Sequence, residues 1–169
     1  GSGVIISADG HILTNNHVAS QAIELFAYLA DGREYKARFI GGDPESDIAV
    51  LKIEAPGLIP ARTRLAPVEL ADFVVAVGSP WKFRNSVTLG VVSGVSRSGL
   101  GITIEDFIQH DARINRGNSG GGLFLAGTGE LVGINTAMFS DTGVNSGVGF
   151  AIPIAQALKT AEDIIRYGK

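Results

Sequence analysis

Three side chains, far apart in this 169-residue chain, have the types needed to attack a carbonyl. Ser119 stands between glycines in Gly117-Asn118-Ser119-Gly120-Gly121, His17 follows Thr14-Asn15-Asn16, and Asp47 opens Asp47-Ile48-Ala49-Val50-Leu51. A serine hydroxyl is a poor nucleophile at neutral pH, so an imidazole must take its proton as attack begins; His17 is the candidate. A carboxylate on the other ring nitrogen holds the tautomer and steadies the transient imidazolium, which is the role expected of Asp47. Glycines around the serine let a substrate backbone come close and let consecutive amides aim at one point. The N–H groups of Gly117 and Ser119, with Asn118 between them, are the expected oxyanion donors. Taken singly each residue has a plainer reading. The glycines could merely join two strands, Asp47 could be a turn residue, and His17 could be a core histidine or cap the short helix that Asn15 and Asn16 suggest.

To bring these residues together the chain offers many short strands punctuated by turns. Segments 4–7 and 11–14 flank Ala8-Asp9-Gly10 as a hairpin. Segments 23–29 and 34–40 flank Asp31-Gly32, and 48–53 closes the first group. Pro56, Pro60 and Pro67 mark a joining stretch. The second group comprises 73–78, 87–95, 107–112, 122–126, 130–139 and 147–152. Ile154, Leu158, Ala161 and Ile165 then recur at helical spacing over Ile154–Tyr167, predicting an amphipathic helix against the second barrel. The expected architecture is all-β: two antiparallel barrels at 1–54 and 68–153, a linker at 55–67 and a closing helix at 154–169. His17 and Asp47 fall on the first barrel and Ser119 on the second, so the site should lie in the cleft between them.

Composition narrows the function. Hydrophobic residues make up 45% and charged residues 18%, which excludes a disordered chain. A net charge of -3 without a Lys/Arg cluster gives no footprint for nucleic acid. The absence of cysteine excludes disulfides, thiol catalysis and thiolate metal sites. No apolar run reaches the roughly 20 residues of a membrane span, and no basic-then-apolar leader opens the chain, so it reads as a processed or excised domain. His11, after a turn, is expected at the surface. His110 has no second histidine or paired carboxylates to complete a metal site, and a surface or packing role is expected of it. Nucleotide binding through the glycines fails for want of a Walker lysine or a strand-GxGxxG-helix unit.

The order His, Asp, Ser along the chain is that of chymotrypsin and not of subtilisin or the α/β-hydrolases. Gly1-Ser2-Gly3-Val4-Ile5-Ile6, Leu13-Thr14-Asn15-Asn16-His17-Val18, Asp47-Ile48-Ala49-Val50-Leu51, Ile114 through Gly121, Gly133-Ile134-Asn135-Thr136-Ala137 and Gly147 through Pro153 resemble the HtrA/Deg family of serine proteases, in family order over almost the whole chain. The resemblance implies two six-stranded, chymotrypsin-like barrels, cleavage of unfolded or misfolded polypeptides through an acyl-enzyme, no metal or organic cofactor, and a bacterial periplasmic or envelope location. It implies that Ile114 forms the base of the specificity pocket, selecting small or medium apolar side chains, although Ile114 could equally be plain core. It implies that Asn135, Thr136 and Ala137 pair with an extended substrate. Arg97-Ser98-Gly99-Leu100 resembles the sensor loop that relays ligand binding to the oxyanion turn; Arg97 could equally be a surface charge.

Departures from the family pattern carry their own expectations. Where digestive-type relatives place an Asp before the nucleophile, Asn118 has no charge to offer a new amino terminus, so loop rearrangement is the expected switch. His110 stands where the family usually has a small hydroxyl residue. Family domains begin about one strand earlier, so the first strand of barrel 1 is expected to be missing, leaving a homotrimer and a complete first barrel open. The sequence ends at Lys169, about where the family continues into a PDZ domain. The alternative function is a protease-like chaperone or binding scaffold whose site is gated or inactive.

Overall fold

The computed structural model describes residues 1–81, 84–97, 107–136 and 147–168. The N-terminal half forms β1 (Val4–Ile5), β2 (His11–Asn15), a one-turn helix α1 (Asn16–Ala19), β3 (Leu25–Tyr28), β4 (Glu34–Asp43) and β5 (Ile48–Lys52). These strands make a five-stranded antiparallel sheet in the order β1-β2-β5-β4-β3. β5 is its central strand and is buried on both faces, which is why it reads as a continuous apolar run. Its period of two sends Ile48 and Val50 into the core shared with the second half, and Ala49 and Leu51 into the concave face of this sheet. A bulge between Phe39 and Gly41 bends β4 and carries it to Asp43, beyond the expected end at Ile40, so the chain turns directly into the segment that bears Asp47.

The second half forms β6 (Phe73–Trp81), β7 (Arg84–Arg97), β8 (Phe107–His110), β9 (Gly122–Leu125), β10 (Leu131–Thr136) and β11 (Gly149–Pro153). They close into a six-stranded antiparallel barrel in the order β10-β11-β8-β7-β6-β9. The expected barrel pair is thus present as one closed barrel and one five-stranded sheet that, among the described residues, has open edges at β1 and β3. A cleft of about 680 Å³ lies between those edges, lined by residues of both, and does not include the Ser/His/Asp group.

α2 (Ile154–Tyr167) has the bounds read from the sequence and ends on Gly168 in the left-handed conformation. It does more than cover the second barrel. Besides β10 and β11 it packs on β4 and β5, where a Cβ on Gly41 would lie 2.7 Å from the Gly168 carbonyl. Its buried residues are Ile154, Ala157, Ala161 and Ile164. Leu158 is half-buried and Ile165 is 43% exposed, so the apolar face is rotated from the one that Ile154, Leu158, Ala161 and Ile165 predict. The rotation follows from the two-sided seat, since alanines at 157 and 161 let the helix approach both sheets. One contiguous core, including Leu13, Ile48, Val50, Ile134, Ile152 and Ile164, therefore joins both halves. Among the described residues no helix is long and apolar enough to cross a membrane.

Ile164→Ala should cost about 2–5 kcal/mol of unfolding free energy in urea, while Ile165→Ala should cost under about 1 kcal/mol. Equal losses would restore the face predicted from spacing.

Candidate active site

Asp47 is held in the left-handed region, φ 56°, which is uncommon for a residue with a side chain. This conformation turns its two ends toward the same segment. Its backbone carbonyl accepts from Asn16 N–H at 3.0 Å and from Asn15 Nδ2 at 3.1 Å. Its carboxylate accepts from the His17 backbone N–H (2.9 Å, Oδ1), from His17 Nδ1 (2.7 Å, Oδ2) and from Thr136 Oγ1 (3.2 Å, Oδ2). Asp47 is buried at 4% exposure, and so much donation is what a carboxylate out of water requires. With Nδ1–H committed to Asp47, His17 presents Nε2 as a base. The imidazole side chain is 40% exposed, facing the space a substrate would enter.

Ser119 comes from the other half, and its Oγ lies 3.0 Å from His17 Nε2. The structure therefore brings Ser119, His17 and Asp47 into one hydrogen-bonded line, competent in geometry for proton abstraction and acyl transfer. The turn behind Ser119 is bound to the N-terminal segment. Ser2 N–H donates to the Ser119 carbonyl (3.1 Å), Ser2 Oγ donates to the Gly117 carbonyl (2.5 Å) and accepts from Ser79 N–H (2.7 Å), and Thr14 Oγ1 donates to the Ser2 carbonyl (2.7 Å). Gly120 has φ +88°, and a Cβ there would lie 2.3 Å from the Ser2 carbonyl oxygen, so this close stitching needs glycine.

The groups expected as oxyanion donors are not both free to point at one place. Residues Arg116–Asn118 form a 3-10 turn capped by Asn115, whose Oδ1 accepts the Gly117 N–H at 3.0 Å. One of the two expected donors is thus occupied by the protein's own carboxamide. Asn118 is buried and its Nδ2 donates to the Arg113 carbonyl at 3.2 Å.

The remaining expected residues divide. Ile114 is buried at 8% exposure in the second-barrel core. Thr136 faces inward to Asp47, so its side chain serves the acid and not a substrate. Asn135 is fully buried: its N–H donates to the Gly121 carbonyl, its carbonyl accepts from Gly120 N–H, and its Nδ2 donates to the Gly122 carbonyl. It therefore cannot pair with a substrate strand, a correction to the expected edge, which begins no earlier than Thr136. Ala137 lies outside the described residues, as do Ser98, Gly99 and Leu100; Arg97 ends β7 opposite Phe107. His11 is also corrected. It is drawn against Ser7 Oγ and Asp9 Oδ1 with a side chain only 17% exposed.

His110 is fully buried, which removes its surface alternative. Nε2 bonds Asn135 Oδ1 at 3.1 Å, Nδ1 has no hydrogen-bond partner among the described residues, and the ring lies against Gly149. Burial pushes its pKa below the ordinary 6.5, against smaller raising effects of Asn135 and Asp111. Sequence reasoning missed Asn15 and Ser2 as site residues. The available signal was a polar side chain at the inner end of each apolar strand segment, too common to single out either.

Residues 1–134 match the family model described as a trypsin-like peptidase domain. The periplasmic pH-dependent serine endoprotease DegQ of Escherichia coli strain K12 is 48% identical over 176 aligned residues, covering 100% of this chain and 38% of that protein. The periplasmic serine endoprotease DegP of the same strain is 45% identical over 174, covering 100% and 36%. Solved structures of the HtrA-type protease AlgW superpose with TM-score 0.94 in its tripeptide complex and 0.93 in its decapeptide complex, each at 47% identity. The first covers 100% of this chain and 56% of that one; the second covers 99% and 52%. The chain thus spans little more than a third of these two periplasmic relatives.

Two outcomes follow from this geometry. Because the folded state disfavours protonated His110, it binds fewer protons than the unfolded chain below about pH 6.5. Its contribution is intact above that pH and is lost as pH falls toward the depressed folded value. Urea unfolding should weaken by up to about 1.4 kcal/mol per pH unit there, and His110→Gln should flatten that part of the slope. Separately, Thr136→Val removes a donor to Asp47 and should lower kcat/KM about ten-fold on a peptide substrate with melting temperature little changed.

Proposed function

Since this chain belongs to the trypsin-like peptidases, in their HtrA/Deg branch, we propose that it is the proteolytic domain of a serine endopeptidase acting on extended or unfolded polypeptides. Residues 1–54 and 68–153 are read as its two barrel halves, 55–67 as their link and 154–169 as the closing helix. The observation that carries the reading is the line Asp47 Oδ2, His17 Nδ1, His17 Nε2, Ser119 Oγ, with separations of 2.7 and 3.0 Å. Ser119 Oγ attacks the scissile carbonyl while His17 takes its proton, and Asp47 balances the imidazolium. His17 returns the proton to the leaving amine, and water then hydrolyses the ester by the same relay. The Gly117 and Ser119 amides are the oxyanion donors, with Asn118 setting the turn between them.

Gly117 N–H must leave Asn115 Oδ1 before it can serve, which favours a gated resting state over a permanently open site. In this reading Arg97 and its loop are the regulatory element that shifts the turn, and Ile114 backs a pocket for small or medium apolar side chains. The relatives named as periplasmic support the periplasm as its compartment. A homotrimer is the assembly implied by the family resemblance.

Ser119→Ala should abolish cleavage of an unfolded protein while leaving circular dichroism and melting temperature intact. A fluorophosphonate should label the parent protein and not the variant. Label with little turnover identifies the gated state. Surviving proteolysis in Ser119→Ala would mean that another nucleophile does the work.

A further inference from the structure

Resting on Ser119 as nucleophile, we infer that Asn15 is a brake on it: a positioning residue whose carboxamide oxygen takes the Ser119 hydroxyl proton and keeps it from His17. Asn15 ends β2, is fully buried, and is locked opposite Ile48 of β5, so its backbone has no room to withdraw. The orientation of its amide is set by chemistry. The Asp47 backbone carbonyl can only accept, and it lies 3.1 Å from Nδ2; the opposite orientation would set two acceptors face to face. Oδ1 therefore faces Ser119, at 2.6 Å from Oγ. Oδ1 has no proton to give, so the hydroxyl must donate to it.

A hydroxyl carries one proton, and among the described residues Oδ1 at 2.6 Å and His17 Nε2 at 3.0 Å both compete for it. The shorter contact holds it in the resting state. For attack the O–H must turn to Nε2, and its proton passes to that nitrogen. Oγ then bonds the carbonyl carbon, whose π pair moves onto the carbonyl oxygen. From that moment Oγ has no proton, and an acceptor-only oxygen stands beside it. Asn15 Oδ1 thus stabilises the hydroxyl before attack and repels the oxygen during it; both effects slow acylation. The carboxamide is fully buried, so substrate binding should be untouched.

The test is the rate at which a small uncharged fluorophosphonate, which needs no peptide subsites, modifies Ser119 in the parent protein and in Asn15→Leu. Leucine keeps the branched outline of the carboxamide, with somewhat more bulk, and removes both Oδ1 and Nδ2, while the Asp47 carbonyl keeps its bond from Asn16 N–H. Losing one neutral hydrogen bond from the resting state should speed modification about five-fold. On a peptide substrate kcat should rise with KM constant within about two-fold. An unchanged or slower rate overturns the proposal, the slower one meaning that the carboxamide holds Oγ in place for attack. Failure of the nucleophile assignment would look different, because the parent protein itself would not be labelled. Should Asn15→Leu not fold, the Asn15 carboxamide carbon is observed by NMR in the parent and in Ser119→Ala. An upfield move on losing the hydroxyl donor supports the contact, and an unmoved resonance overturns it.

Discussion

The geometry of this molecule hangs on a single buried carboxylate. Asp47 sits in a left-handed backbone conformation at the β4–β5 turn, and both its carbonyl and its carboxylate are filled by donors from the three consecutive residues Asn15, Asn16 and His17. Each of those bonds offsets part of the cost of burying the group and of straining its backbone. The last donor, Thr136 Oγ1, comes from β10 of the closed barrel, so the charge that orients the imidazole also ties the two halves together. Binding His17 through both its main chain and its ring leaves the base little freedom except at Nε2.

Ser119 reaches His17 because the halves share a core between them, besides the apolar cluster that each keeps to itself. Ile48 and Val50 of β5 interdigitate with Ile134, Ile152 and Phe107 of the barrel, and α2 lies across both with Ala157, Ala161 and Ile164. Polar stitching repeats the connection at the cleft, where Ser2, just before β1, bonds the carbonyls of Gly117 and Ser119 in the second half. A cleft site built from two sheets needs this redundancy, since a shift of about 1 Å would take Oγ out of reach of Nε2.

Two asparagines shape the resting state by the same chemistry. Asn115 accepts the N–H of Gly117, and Asn15 accepts the O–H of Ser119. In each case a carboxamide oxygen engages a donor that the proposed reaction would turn elsewhere, the amide to an oxyanion and the hydroxyl to the imidazole already beside it. Neutral acceptors suit that task, because a contact worth about 1 kcal/mol can be exchanged on substrate arrival, whereas a carboxylate would hold too firmly.

Local pattern carried much of this protein. The alternation and turn residues around Asp9-Gly10 and Asp31-Gly32 placed the N-terminal strands, the spacing over Ile154–Tyr167 placed α2, and the glycine-flanked Ser119 with His17 and Asp47 named the side chains that the fold brings into one hydrogen-bonded line. Those features depend on residue type and near-neighbour spacing, which a linear chain displays. It could not display which face of α2 turns inward, because Ile164 is chosen over Ile165 by the two sheets beneath it. Nor could it reveal that Asn135 is consumed by the Gly120-Gly121 turn, that His110 lies buried with one nitrogen unpartnered among the described residues, or that Asn15 and Ser2 grip the turn at Ser119. Each of these rests on partners distant along the chain, as with Asn135 and Gly122 at a separation of 13 and Asn15 and Ser119 at 104. Hydrogen bonds of that reach exist only once strand order and register have set which backbones lie side by side. The amino-acid string determined the chemistry and the scaffold type; the folded packing decided which donors are engaged at rest.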